Sequence, residues 1–383
     1  MFILLFFLMP LFLYVILVTY SWTVAVMSNK TSLSLSIRMT NLVNQYNFRE
    51  ELIDISGITI HSVIKDPTGA VSDDVFVFIH GTASASITFF DLMNELQSNI
   101  KCVAIDLPSF GISDDIDIDL YPTNEEICIK YATIIGETLD KLDVLKKRTI
   151  LVGHSLGGFL SIYVASRYPI KNLILLNPAG ILPTLGVWGY YWAIFFKLGL
   201  PTTIFNLPLV SRNGMIHIMN LIFSDNSNLS KFWLSFYSNP HNKGHEILQK
   251  IITFKPRYSY WNTPAFTTLM DVYKMIPTTI CFGVNDTICP PHIGSFLKYV
   301  SHGQIMIHNI HDANHNPCVN TVKMADLLKS ISDNQEEGTI NITLKKSINT
   351  TNKVYCKGYS YPSLTKTQES IEQFYNYLLT NIT

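Results

Sequence analysis

Thr149-Ile150-Leu151-Val152-Gly153-His154-Ser155-Leu156-Gly157-Gly158 is the stretch on which the reading of this chain turns. Its first four residues form a short β-branched and apolar run, read as a buried strand, and the helical run Phe159 to Ser166 follows directly. Gly-x-Ser-x-Gly at a strand-to-helix turn is a nucleophile elbow. Small residues on either side of the serine let the backbone turn sharply and hold the hydroxyl out above the sheet. The N-terminus of the next helix favours negative charge developing nearby. Ser155 is therefore the candidate nucleophile, and the plain alternative is a tight turn without chemistry.

A serine hydroxyl needs a base to attack at neutral pH, and the oxyanion it creates needs donors. With this elbow the chain order is serine, acid, histidine. The acid belongs in a loop after a late strand, where Cys281-Phe282-Gly283-Val284-Asn285-Asp286 ends the apolar run from Thr278. Asp286 is the candidate. Asp271 precedes that run rather than following it, and the loop after Leu173 to Leu176, an alternative place for an acid, carries Asn177.

For the base, His308, His311 and His315 crowd one segment. His315 stands where a last helix is expected to begin, near Asn316-Pro317. It is preferred to His311, while His308 reads as still within a strand. The three histidines lie near Asp312, but no other ligands recur at metal-binding spacing, so neither metal nor cofactor is expected. One oxyanion donor is expected from the backbone N–H of Leu156. The other is expected from the loop after Val75 to Ile79, where His80-Gly81-Thr82 opens a run of small residues. Thr82 is the assigned donor and Ala83 the near alternative. His80 and His154 flank the site as shapers of the backbone.

Outward from the elbow, short buried strands alternate with helical segments, the pattern of a mostly parallel sheet covered by helices. Strands are expected around Ile58 to Ile64, Val75 to Ile79, Cys102 to Ile105, Thr149 to Val152, Leu173 to Leu176, Thr278 to Phe282 and Gln304 to His308. A helix is expected near Phe89 to Leu96. Thr123 with Glu126 three residues on is a capping box, opening a helix that runs to about Leu145. The alternation stops after Pro178 and resumes at Pro277. Between them lies an aromatic-rich stretch with Trp188-Gly189-Tyr190-Tyr191-Trp192 and Phe232-Trp233. The expected organisation is an N-terminal anchor (1–27), a polar linker (28–51), a core in two parts (52–181 and 263–332), a helical cap (182–262) and a polar tail with a possible last helix (333–383).

The chain has 383 residues, 48% of them hydrophobic and 15% charged, with a formal net charge of −1. That balance excludes charge-driven disorder and gives no electrostatic case for nucleic acid as a partner. Six Cys are too few for a disulfide framework. Cys289 and Cys318 each follow a candidate triad residue by three places, so a bridge is conceivable, but two small buried thiols are the ordinary reading.

The mean hydropathy of +0.22 is high and points to the N-terminus. Met1 to Val18 holds only hydrophobic residues and Pro10, and no side chain charged at neutral pH precedes Lys30. Eighteen helical residues span about 27 Å, close to the hydrocarbon thickness of about 30 Å. The run is long for a signal peptide and lacks a basic start, so an uncleaved single-pass anchor is the expectation, at an endomembrane or the cell surface. Lys30, Arg38 and Arg49 after it favour a cytosolic body, whereas six N-x-S/T sequons, beginning with Asn29, would matter only in a lumenal one. The side stays open.

Four motifs in order resemble the α/β-hydrolase superfamily: His80-Gly81-Thr82; Asp106-Leu107-Pro108-Ser109-Phe110-Gly111; Gly153 to Gly158; and Asp286 with His315. The resemblance covers roughly residues 52 to 332. It implies an α/β fold with an eight-stranded, mostly parallel sheet, a Ser155-His315-Asp286 triad and an insertion that lids the pocket. Two positions depart from the family. Ser109 stands where glycine is usual, and Asn314 stands before the histidine, where its tolerance of left-handed backbone angles would preserve the turn. Lipid-acyltransferase relatives carry H-x4-D at the catalytic histidine; here Asn320 occupies the fifth place after His315. His61 to Asp66 fits that spacing, but in an early strand, where chance explains it.

The expected activity is a serine hydrolase, esterase or lipase-like, that cleaves a small-molecule carboxylic ester with an apolar, lipid-like acyl group. The alternatives are acyl transfer on the same triad and a hydrolase-fold binding or scaffolding protein with little catalysis.

Overall fold

The apolar runs pair into one sheet in the computed structural model, which describes residues 35–181 and 264–334 apart from Ala83, Ile118, Asp119, Pro122, Thr287, Ile288, Pro290, Asp312, Pro317 and Val319. Eight strands are ordered β1-β2-β4-β3-β5-β6-β7-β8. They are β1 (Arg49–Ile55), β2 (Ile58–Lys65), β3 (Asp74–Ile79), β4 (Lys101–Ile105), β5 (Arg148–His154), β6 (Asn172–Leu176), β7 (Thr278–Gly283) and β8 (Met306–Ile310). β2 runs antiparallel to both β1 and β4, and every other pairing is parallel. The expected α/β sheet is present.

Alternate residues of each strand feed two cores, because successive side chains point to opposite faces. On one face Val77, Ile79, Leu151, Leu173 and Phe282 pack under α3 (Asn124–Lys141), α4 (Leu156–Ala165), α5 (Pro264–Val272) and α6 (His292–Val300). On the other, Phe76, Phe78, Val152, Ile174 and Cys281 pack under α1 (Leu35–Gln45), α2 (Phe90–Glu95) and α7 (Thr321–Asn334). All ten residues of α4 are buried, so the helix behind the elbow is enclosed rather than amphipathic. Burying a side chain such as Leu160 or Ile162 is worth about 1.5–3 kcal/mol, which clamps the helix end that faces the site. The capping box of α3 forms as expected: Thr123 Oγ1 accepts from Glu126 N–H at 3.2 Å, and Glu126 Oε2 accepts from Thr123 N–H at 3.0 Å.

Strand order decides where a ligand can sit. From β3 the chain moves to one side for β4, then returns across β3 to place β5 on the other. Ligands in open α/β sheets bind beyond the strand C-termini at such a switch point. Here that crevice lies between the ends of β3 and β5, the strands that carry His80-Gly81-Thr82 and the elbow.

Several expectations need correcting. The expected polar linker (28–51) overlaps α1, whose Met39 and Val43 are buried, and the first residues of β1, an edge strand that continues the sheet. β8 begins at Met306 rather than Gln304, and α7 begins at Thr321, beyond Asn316-Pro317. The membrane localisation is also corrected: among the described residues no helix is long and apolar enough to cross a membrane. Residues 1–27, on which the anchor rested, lie outside the described residues, as do the cap (182–262) and nearly all of the tail.

Candidate active site

Ser155 sits between β5 and α4 at φ 51° and ψ −117°, a region L-residues rarely occupy. The conformation costs on the order of 1–3 kcal/mol and persists because its surroundings fix it. Ser155 N–H donates to Leu176 C=O at 2.9 Å, and Ser155 C=O accepts from Ala179 N–H at 3.0 Å. Close approach explains the glycines. A Cβ on Gly157 would overlap the carbonyls of Ile79 and His80, and one on Gly81 would lie 2.8 Å from Ser155 Cβ. The loop after β3 therefore packs directly against the elbow.

Ser155 Oγ–H donates to His315 Nε2 at 2.9 Å, and His315 Nδ1–H donates to Asp286 Oδ2 at 2.8 Å. These donor roles follow from the network, since a carboxylate can only accept. All three side chains are buried, with Asp286 3% exposed. Asp286 Oδ1 also accepts from Cys289 N–H at 3.0 Å, so both carboxylate oxygens are held. The rivals stand elsewhere. His311 is exposed, His308 is half-buried within β8, and Asp271 pairs with Lys274 on α5.

Leu156 begins α4, so its N–H has no partner within the helix. Thr82 is half-buried in the turn after β3, while Ala83, the alternative donor, lies outside the described residues. Asp286, Cys289 and His315 place possible metal-ligand atoms within 4.8 Å of one another. The donor set does not suit a metal, because His315 Nδ1 carries the proton given to Asp286 Oδ2. Burial, with Asp286 adding to it, also holds the Cys289 thiol far above its usual pKa, so it stays protonated. Cys289 and Cys318 are free thiols, so the conceivable bridge is not formed.

Two residues that support the triad were not assigned that role from sequence. Asn177, fully buried with φ 43°, stands where an alternative acid was considered. Its Oδ1 accepts from Gly283 N–H at 2.8 Å, and its Nδ2 donates to the carbonyls of Asn314 and His315, both at 2.9 Å. One amide thus ties the ends of β6 and β7 to the histidine loop. Asn177→Ala leaves these groups unpaired, and a stability loss of about 2–4 kcal/mol with a lower kcat is the expected outcome in denaturant titration and steady-state assays.

His154, expected only to shape the backbone, donates from Nε2–H to the His315 carbonyl at 2.8 Å, its ring centroid 5.0 Å from that of His315. Its Nδ1 has no hydrogen-bond partner among the described residues. Protonating that nitrogen would bury an unpaired cation. Burial first, then the nearby His315, lowers the pKa from 6.5 to about 3. Between those values the unfolded chain binds a proton that the native state refuses, so stability falls as the pH drops through the interval. The loss approaches about 1.4 kcal/mol per pH unit for one group. His154→Gln, which keeps an N–H donor without titrating, is expected to flatten the acid side of a Tm-against-pH curve.

The two departures from the family resolve differently. Ser109 adopts φ 65°, so the position does demand a left-handed backbone. Its Oγ accepts from Ile116 N–H at 3.0 Å, a bond glycine could not make. Asn314 is not among the residues of positive φ, so its tolerance of such angles is not used. Asn320 Oδ1 accepts from Lys323 N–H at 3.1 Å, which makes it a cap of α7.

A decarboxylase of cis-3-alkyl-4-alkyloxetan-2-ones from Shewanella oneidensis is 24% identical over 283 residues, covering 70% of this chain and 83% of its own. Lipase 1 of Psychrobacter immobilis is 23% identical over 302 residues, 75% of this chain and 86% of the lipase. The crystal structure of a putative lipase (lip1) from Acinetobacter baumannii AYE superposes with a TM-score of 0.60 at 17% identity, over 79% of this chain and 98% of that one. Residues 76–326 match the alpha/beta hydrolase family, and with the sheet order and the elbow described above, the chain belongs to that family of hydrolase-type enzymes.

Proposed function

We propose that the protein is a serine esterase, lipase-like, that cleaves carboxylic esters through an acyl-enzyme on Ser155. The observation that carries this reading is the buried chain of hydrogen bonds from Ser155 Oγ through His315 to Asp286, at 2.9 and 2.8 Å. Ser155 Oγ bonds to the ester carbonyl carbon while its proton passes to His315 Nε2, and the π electrons move onto the carbonyl oxygen. The N–H groups of Leu156 and Thr82 hold that oxyanion. Asp286 stabilises the imidazolium. Collapse of the intermediate breaks the bond to the alcohol, which leaves with the proton from His315. Water then repeats the sequence, and the acid is released.

The substrate is an ester with an apolar, lipid-like acyl group. The stretch 182–262, between β6 and α5 in the sequence, is rich in aromatic residues, which suits such a chain. The lipase among the relatives supports the same class. Hydrolysis is favoured over acyl transfer because Asn320, at the place of the acyltransferase carboxylate, is spent on capping α7.

A series of p-nitrophenyl esters from acetate to palmitate, assayed with and without an added lysolipid acceptor, tests the reading. The expected result is free acid as the main product and a rate that rises beyond the shortest chains. A dominant acyl-lysolipid product would make the enzyme a transferase, and a preference for acetate would remove the lipid-like substrate.

A further inference from the structure

His61 in β2 is 1% exposed and belongs to no part of the triad. Its apparent H-x4-D partner, Asp66, instead pairs with Arg49. Both ring nitrogens of His61 face carboxylates: Nδ1 lies 2.8 Å from Asp106 Oδ2, and Nε2 lies 3.1 Å from Glu50 Oε1 in β1. Carboxylates only accept, so both bonds form together only when the imidazole is a doubly protonated cation. Glu50 is steadied in turn by Thr40 Oγ1, which donates to its other oxygen at 2.8 Å.

Asp106, fully buried, passes this arrangement to the loop beside Ser155. Its Oδ1 accepts from Ser86 N–H at 2.6 Å, and its Oδ2 accepts from Ile112 N–H at 3.0 Å. Leu107 N–H, one residue on, donates to His80 Nε2 at 3.0 Å, and His80 Nδ1–H donates to Gly81 C=O at 2.7 Å. The dipeptide Asp106-Leu107 therefore holds the His80 ring, which in turn holds the Gly81 carbonyl, and the backbone of Ser86, at the two ends of the segment that carries Thr82.

We propose that Glu50, His61 and Asp106 form a positioning relay, in which the His61 cation fixes Asp106 and, through it, the loop that presents the Thr82 oxyanion donor. The proposal rests on the serine-esterase reading above. None of the three residues touches substrate. Their effect falls on the transition state, because the oxyanion exists only there, so the relay sets kcat rather than KM.

The relay also has a pH signature. Glu50 from β1 and Asp106 from the turn after β4 face His61; His80, just after β3, faces Asp106, and burial lowers its pKa and keeps it neutral. Burial alone would lower the His61 pKa, yet the two carboxylates overcome it and raise it. The His61 cation and its stabilisation are then complete below the ordinary imidazole value and are lost as pH rises through the raised one. Asp106, held down to about 2, stays ionised throughout.

The test compares wild type, His61→Gln and Glu50→Gln as full-length protein. Active sites are counted by end-point titration with a fluorophosphonate, and kcat and KM for a p-nitrophenyl ester are expressed per titrated site. Inhibition by a trifluoromethyl ketone, whose hemiketal oxyanion needs the same donors, is measured alongside. For His61→Gln, kcat per site is expected to fall roughly tenfold to a hundredfold with KM near wild type. Ketone affinity should weaken in parallel. Glu50→Gln should move the alkaline limb of the kcat profile to lower pH, and this variant carries the test if His61→Gln does not fold. A His61→Gln enzyme with lower Tm but wild-type kcat per site and ketone affinity would overturn the relay, as would an unmoved alkaline limb in Glu50→Gln. Wild type that takes no fluorophosphonate would bring down the esterase reading itself, and the relay with it.

Discussion

Replacing Ser155 by Ala is expected to lower kcat on a short-chain ester by about 10⁴- to 10⁶-fold, the range seen when a triad nucleophile is removed. The fold should survive the change. Ser155 is held at φ 51° by backbone bonds to Leu176 and Ala179, which alanine keeps, and no cap of α4 depends on its hydroxyl. Circular dichroism and Tm near those of wild type, together with the lost rate, would separate chemistry from folding. A variant that kept its rate to within about tenfold would show that the hydroxyl is not the nucleophile, because losing a triad nucleophile costs orders of magnitude more.

Asp286→Asn is the second large effect, a fall in kcat of about 10⁴-fold. The Asn oxygen can still accept from Cys289 N–H, so the loop keeps its anchor. The amide N–H₂ then faces His315 Nδ1, which must accept instead of donate. The ring proton moves to Nε2, where it meets the Ser155 hydroxyl and the base is lost. Steady-state rates on purified, folded protein check this. A loss of less than about tenfold would place the orienting carboxylate elsewhere.

Both predictions concern residues that local pattern alone had marked. The elbow is readable because one backbone conformation demands small residues at fixed offsets from the serine. Asp286 and His315 are readable because each follows a recognisable strand. The central strands are readable too, since burial on both faces makes them continuous apolar runs.

What escaped was set by tertiary context. Arg49–Ile55 contains one arginine, two glutamates and an aspartate, and Leu52 is 66% exposed, so an edge strand with one wet face carries no apolar run to mark it. Among the described side chains of α1, Met39 and Val43 are buried and Leu42 is partly buried beside them, too short a stripe to stand out. The same limit applies within the site. Asn177 acts on carbonyls 137 and 138 residues away, and His61 on a carboxylate 45 residues away. An asparagine that clamps a distant backbone has no periodicity and no motif. Its role exists only once β6, β7 and β8 lie side by side.

The proposed chemistry requires Ser155 to be an activated nucleophile. Peptide mapping by mass spectrometry after fluorophosphonate treatment tests it most directly. The expected result is one phosphonyl group, on the peptide that contains Gly153 to Gly158, absent from Ser155→Ala and strongly reduced in Asp286→Asn. A folded wild-type protein that takes no label, or takes it on another residue, would contradict the account.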